Sequence, residues 1–214
     1  MRPPKTIVRS TAIAVGAIYA AILYGSGFRF GPGVKVALAY LPTLLIIGVV
    51  AFDLWVWKWP GVIQLAGRPS IGGTWCAVIY PHPDSKIPKD GNRGPIQATV
   101  VIEQTYWTMA IRLISGESTS VSTSASIRPD GGSRVQRVLT FTYQNVPKYI
   151  NRPRSRPHLG TANLSVVGLK PRSLSGSYWT DRLTLGDLNL SLLSRGVDYV
   201  ATENAPSRTT SETE

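Results

Sequence analysis

Two uncharged apolar stretches near the start constrain the fold most. Ser10 to Phe28 runs 19 residues without a charged side chain, and Val36 to Phe52 runs 17 more. Each approaches the roughly 20 residues a helix needs to cross a hydrocarbon core about 30 Å thick. Joined by the short segment GSGFRFGPGVK, they predict a transmembrane helical hairpin over residues 1–59, with spans at about 8–28 and 35–57. A cleaved signal peptide is the alternative for the first stretch, since Arg2, Lys5 and Arg9 before an apolar run fit that pattern too. The length of the run and the second span directly after it favour the hairpin. Trp55, Trp57 and Trp59 with Lys58 form an aromatic and cationic collar of the kind found at a headgroup boundary. Asp53 reads either as a polar contact between protomers or as an acid reaching water one turn from that collar. Pro42 kinks the second helix or marks its start. Basic residues at the N-terminus, Lys58 and Arg68 outnumber Arg29 and Lys35 between the spans, which puts both termini in the cytoplasm.

The net charge of +11 is not a nucleic-acid signature. Residues 1–69 carry seven Lys/Arg against one acid, and much of that excess flanks the apolar runs. The single cysteine, Cys76, excludes an internal disulfide and paired-cysteine metal sites. After a Gly/Pro-bearing linker at 60–70 the helical period disappears. Runs near 72–80, 96–104, 106–115, 117–128, 134–145, 159–168, 173–181 and 184–194 read as strands separated by turn residues. Eight strands with mostly short connections predict a small closed antiparallel up-and-down β-barrel over residues 71–200, with a two-sheet sandwich as the alternative. The fold class is therefore membrane-anchored all-β. The run STSVSTSAS of the fourth strand reads as a wall facing water on both sides, or as an edge. Residues 201–214 have a disordered composition.

Candidate functional residues concentrate late in the barrel. At the two-residue strand period, Tyr178, Thr180, Arg182 and Thr184 share one face with Leu188, Leu190 and Leu192. Leucines on the floor of a hollow, with a phenol, hydroxyls and a guanidinium above, suit a planar anionic small molecule. Arg182 also reads as a turn arginine bonded to Asp181 or to carbonyls. Tyr143 and Asn145 end the fifth strand's inward stripe, fit for a cavity mouth or for ordinary turn chemistry before Pro147. Trp75 in Gly73-Thr74-Trp75 either closes one end of the barrel beneath Arg182 or Arg195, or stacks on ligand. Lys148, Arg152, Arg154 and Arg156 form a basic, acid-free loop. The two histidines, His82 and His158, have no carboxylate or third ligand nearby in sequence, so neither a metal site nor a catalytic triad is expected. Without a phosphate loop or dinucleotide fingerprint, no enzymatic activity is expected.

Two spans, a collar and a barrel carrying Gly73-x-Trp75, Tyr143-x-Asn145-x-Pro147 and Tyr178-x-Thr180-x-Arg182-x-Thr184-x-Gly186 resemble the membrane-spanning β-barrel effectors of bacterial CBASS anti-phage systems. The resemblance implies a cytoplasmic barrel, tethered to the inner membrane as a multi-pass protein, that senses a cyclic dinucleotide from a partner nucleotidyltransferase. Binding then drives homo-oligomerisation of the helices and disruption of the lipid bilayer, with no cofactor and no DNA or RNA polymer involved. The matching sensor positions are Trp75, Tyr143, Asn145, Tyr178, Thr180, Arg182 and Thr184. A membrane-anchored, lipocalin-like carrier of a lipid or other apolar ligand is the competing expectation.

Overall fold

Alternating apolar and polar residues from position 72 onward build eight strands: β1 (Gly73–Pro81), β2 (Ile96–Gln104), β3 (Met109–Ser115), β4 (Ser118–Pro129), β5 (Gln136–Pro147), β6 (His158–Val167), β7 (Ser173–Thr180) and β8 (Leu185–Ser194). The computed structural model describes residues 5–25, 31–88, 91–133, 135–153 and 155–197. The expected turn at 26–30, Lys89, Arg154 and the tail from 198 onward lie outside these. Each strand pairs antiparallel with the next, and β8 returns to β1 with Ala77 opposite Leu190, so the sheet closes on itself. Closure rather than a sandwich follows from the continuous register, which leaves no edge unpaired.

One face of every strand consequently turns inward. Trp75, Ala77, Val100, Ile102, Leu139, Leu164, Val166 and Leu190 pack the end where β1 begins, each at most 2% exposed. By the up-and-down alternation, the connections at 82–95, 116–117, 148–157 and 181–184 gather at the opposite end, here called the mouth.

Two strands depart from the expectation. β3 starts at Met109, so Trp107 sits in the preceding turn and not on the strand. β4 is neither a two-sided wall nor an edge: it pairs with both β3 and β5, and Ser120 and Ser122 are buried. A bulge between Ser122 and Ser124 shifts the register, which transfers the inward parity to Ala125 and Ile127.

The N-terminal unit comprises residues up to Arg68 together with Thr105–Thr108. It contains α1 (Lys5–Gly25), α2 (Pro32–Leu54), a 3-10 turn (Val56–Lys58) and α3 (Val62–Ala66). Pro42 lies inside α2, and Pro32 stands at its start, where the missing N–H costs nothing. Among the described residues no helix is long and apolar enough to cross a membrane. Several α1 and α2 side chains, 35–39 among them, lie outside that set. The linker carries α3, a short helix the sequence reading did not anticipate. Asp53 is buried within its own chain, contrary to both sequence readings. Its carbonyl accepts from Trp57 Nε1 and from the Tyr106 amide, each at 2.9 Å, and its Oδ1 accepts from the Trp107 amide at 3.1 Å. Trp57 is fully buried by this arrangement, whereas Trp55 and Trp59 remain exposed.

Candidate functional site

The barrel's packing fails toward the mouth because side chains shrink there. β3, β4 and β6 present Ser115, Ser118, Ser120 and Gly160 where the closed end presents leucines and tryptophan. A hollow of about 410 Å³ is left. Small-molecule sites typically fall between roughly 300 and 1,000 Å³. Its floor includes Ile111, Phe141 and Leu188, and its upper wall sets polar side chains among apolar ones such as Ile79, Ile96 and Pro147.

Two phenols stand on that wall. Tyr143 pairs with Gly160 across β5 and β6, and a Cβ at Gly160 would run into the Tyr143 ring. Glycine at this position is what lets the ring lie against the neighbouring strand. Burial, followed by the proximity of Tyr178 and Asp181, raises the Tyr143 phenol above its ordinary value. The Tyr178 phenol is pushed up to about 12 by burial and then by Asp187. Both remain protonated donors throughout the physiological range.

The β7–β8 turn positions the cation. Thr180 N donates to the Thr184 carbonyl at 2.9 Å, the two threonine hydroxyls lie 2.7 Å apart, and Leu183 adopts φ 59° between them. Arg182 is thereby aimed across the mouth. Its Nη1 donates to Ser155 Oγ at 2.8 Å, while Asp181 is engaged elsewhere, accepting from the Leu159 amide at 3.1 Å. The turn-arginine reading bonded to Asp181 is therefore not what forms. Among the described residues no carboxylate is paired with Arg182, so its charge faces the hollow without a neutralising partner.

His158 stands beside it. Its Nδ1 lies 3.1 Å from the Arg156 carbonyl and 3.4 Å from Arg182 Nη1, and the shorter contact takes the ring proton. Burial lowers its pKa below the ordinary 6.5; the bond to the Arg156 carbonyl and Asp181 oppose this, and the Arg182 charge adds to it. Below pH 6.5 the unfolded chain consequently binds the proton that the folded chain resists. Stability contributed here is fully present above 6.5 and is lost as pH falls through 6.5 toward the folded value. Melting curves of the wild type and of His158→Gln between pH 5 and 8 are expected to diverge only on the acid side, with the wild type losing more.

The 148–157 loop lies across the rim, held by the Glu117 carbonyl, which accepts from Lys148 N at 2.9 Å and Asn151 Nδ2 at 3.1 Å. Of its cations, Arg152 lies over the Tyr149 ring at 3.6 Å. From this segment Asn151, Ser155 and the following His158 line the hollow, and the sequence reading placed none of them there. The only hint in the sequence was their position between two prolines and the start of a strand.

Six of the seven sequence-derived residues come together around the hollow: Tyr143, Asn145, Tyr178, Thr180, Arg182 and Thr184. Trp75 does not. It is fully buried at the closed end, where its Nε1 donates to the Ile71 carbonyl at 3.0 Å and Arg195 lies over its ring at 5.8 Å. Arg195 in turn caps the Ser70 and Pro171 carbonyls at 2.8 and 2.6 Å. Trp75 is the closure of the barrel, with Arg195 and not Arg182 as its cation.

Comparison with known proteins agrees with this geometry. Residues 67–191 match the family described as "Cap15, cyclic dinucleotide receptor domain". The chain is also 31% identical over 157 residues to CD-NTase-associated protein 15 of Staphylococcus schleiferi, spanning 73% of this chain and 79% of that protein.

Proposed function

Because the chain belongs to the Cap15 family of CBASS effectors with a cyclic dinucleotide receptor barrel, we propose that the hollow at the mouth receives a cyclic dinucleotide made by a partner nucleotidyltransferase. Binding triggers oligomerisation of the N-terminal helices, anchored in the bacterial inner membrane, and the assembly disrupts that membrane to kill the infected cell. The single observation that carries the reading is Arg182, a guanidinium with no paired carboxylate among the described residues, held over a half-open hollow beside two neutral phenols. A ligand carrying about two negative charges gains from such a cation in a poorly hydrated site, and a planar base gains from the tyrosine rings. A lipid carrier would need no cation at this depth, whereas here Arg182, Asn145, Thr180 and Thr184 stand among aliphatic residues such as Ile79, Ile96 and Pro147.

The ligand can shift assembly only by binding the assembled state more tightly than the resting one. Helix association in lipid relies on close approach of small residues, and Ala14, Gly16, Ala17 and Ala21 in α1 supply them. The full chain reconstituted into dye-loaded vesicles of anionic bacterial lipid tests this reading. Dye release is expected on adding a cyclic dinucleotide that binds the barrel, and with Arg182→Ala only at roughly tenfold to hundredfold higher ligand concentration. Ligand binding without release, in vesicles shown to contain the chain, would contradict the membrane step.

A further inference from the structure

The amide of Asn145 is half engaged. It sits on β5 opposite Ser120 of β4 and His158 of β6, lines the hollow and is 8% exposed. Its Nδ2 donates to Ser118 Oγ at 2.8 Å and to Ser120 Oγ at 2.9 Å, which uses both of its N–H groups and fixes the amide plane. Its Oδ1 is buried with no partner among the described residues. A buried carbonyl oxygen left without a donor is costly, and native proteins carry few of them.

We infer that Asn145 Oδ1 is the base-reading acceptor of the site: covered in this structure, it is uncovered as the ligand enters and receives a hydrogen bond from an N–H on the base edge of the bound cyclic dinucleotide. The inference rests on the sensor reading above and extends it from binding to specificity. An oxygen acceptor repels phosphate, so the ligand atom that meets it must carry a hydrogen. The phosphates are drawn instead to the guanidinium of Arg182, which approaches His158, the cross-strand partner of Asn145. Tyr143, two residues before Asn145 on the same strand face, offers its ring to the rest of the base. Because both Nδ2 hydrogens are engaged by serines, the side chain reads one N–H and does not also donate to a neighbouring carbonyl. A ribose 2′-hydroxyl is the other donor a cyclic dinucleotide carries, and the experiment separates the two.

The tightest binder among the 3′,3′-cyclic dinucleotides of adenine, guanine, cytosine and uracil is titrated into the full chain alongside two analogues. One is methylated at the base N–H, the other lacks the 2′-hydroxyls. In the wild type, base methylation is expected to weaken binding at least tenfold, and in Asn145→Leu methylation is expected to cost nothing further. Loss of the mutant's sensitivity to the 2′-deoxy change instead, or an equal methylation penalty in both proteins, overturns the inference while leaving the sensor reading intact. Should no cyclic dinucleotide bind the folded wild type, both fall. If Asn145→Leu does not fold, the side-chain resonances of Asn145 in asparagine-labelled wild type decide. Its carbonyl carbon is expected to shift on adding the parent ligand and to stay in place with the N-methyl analogue; a carbonyl indifferent to the parent ligand overturns the inference.

Discussion

Arg182→Ala is expected to weaken cyclic dinucleotide binding by roughly tenfold to a hundredfold while the barrel stays folded. A charge-assisted hydrogen bond is worth about 1.5–3 kcal/mol, and each 1.4 kcal/mol is about tenfold in affinity. The structural cost is bounded, because the guanidinium gives up one part-buried, charge-assisted hydrogen bond to Ser155 and the longer contact with His158, worth at most about 1.5–3 kcal/mol. The melting temperature without ligand should therefore fall by no more than several degrees, and calorimetric titration below the transition should reveal the loss. Arg182→Lys retains the charge without the planar fork and is expected to fall between the two. A variant that binds as tightly as the wild type would show that the phosphates sit elsewhere.

Trp75→Ala should do the opposite: it should strip stability from the barrel without removing any group from the hollow. The indole is fully buried, and its Nε1 bond to Ile71 and the overlying Arg195 guanidinium both vanish with it. Removing a buried tryptophan costs about 3–5 kcal/mol through lost burial and the void that remains, a large share of the roughly 5–15 kcal/mol of a typical domain. Urea unfolding followed by tyrosine emission and circular dichroism should show the midpoint falling steeply. Affinity measured below the transition should remain near wild type. Binding that fails in a still-folded Trp75→Ala would return the residue to the ligand site.

Together the two substitutions mark where sequence patterning is informative and where it stops. The period-2 alternation in β1, β2, β5 and β6 exposed the barrel directly, because a closed antiparallel wall buries one face of each strand. The inward parity of Tyr178, Thr180, Arg182 and Thr184 survived even though Arg182 lies in the turn, since the threonine pair at 180 and 184 holds the turn in line with the strands. Trp75 was ambiguous for a physical reason: a tryptophan on an inward parity can floor a core or face a ligand, and only depth distinguishes them. β4 misled because its serines resemble solvent-facing residues. Ser120 and Ser122 are buried, and Ser118 and Ser120 are the small, hydrogen-bonding groups that leave the hollow open and hold Asn145. Asp53 was misread because its partners, the amides of Tyr106 and Trp107, lie more than fifty residues away in sequence.

The central claim is that the mouth of the barrel is a cyclic dinucleotide site, and calorimetric titration of the full chain in detergent with the four-base panel tests it most directly. Saturable binding of at least one member, close to one ligand per barrel and abolished when Ser120→Trp fills the hollow, is the result expected. Absence of heat and of thermal stabilisation with every member, or binding that persists undiminished in the filled barrel, would contradict it.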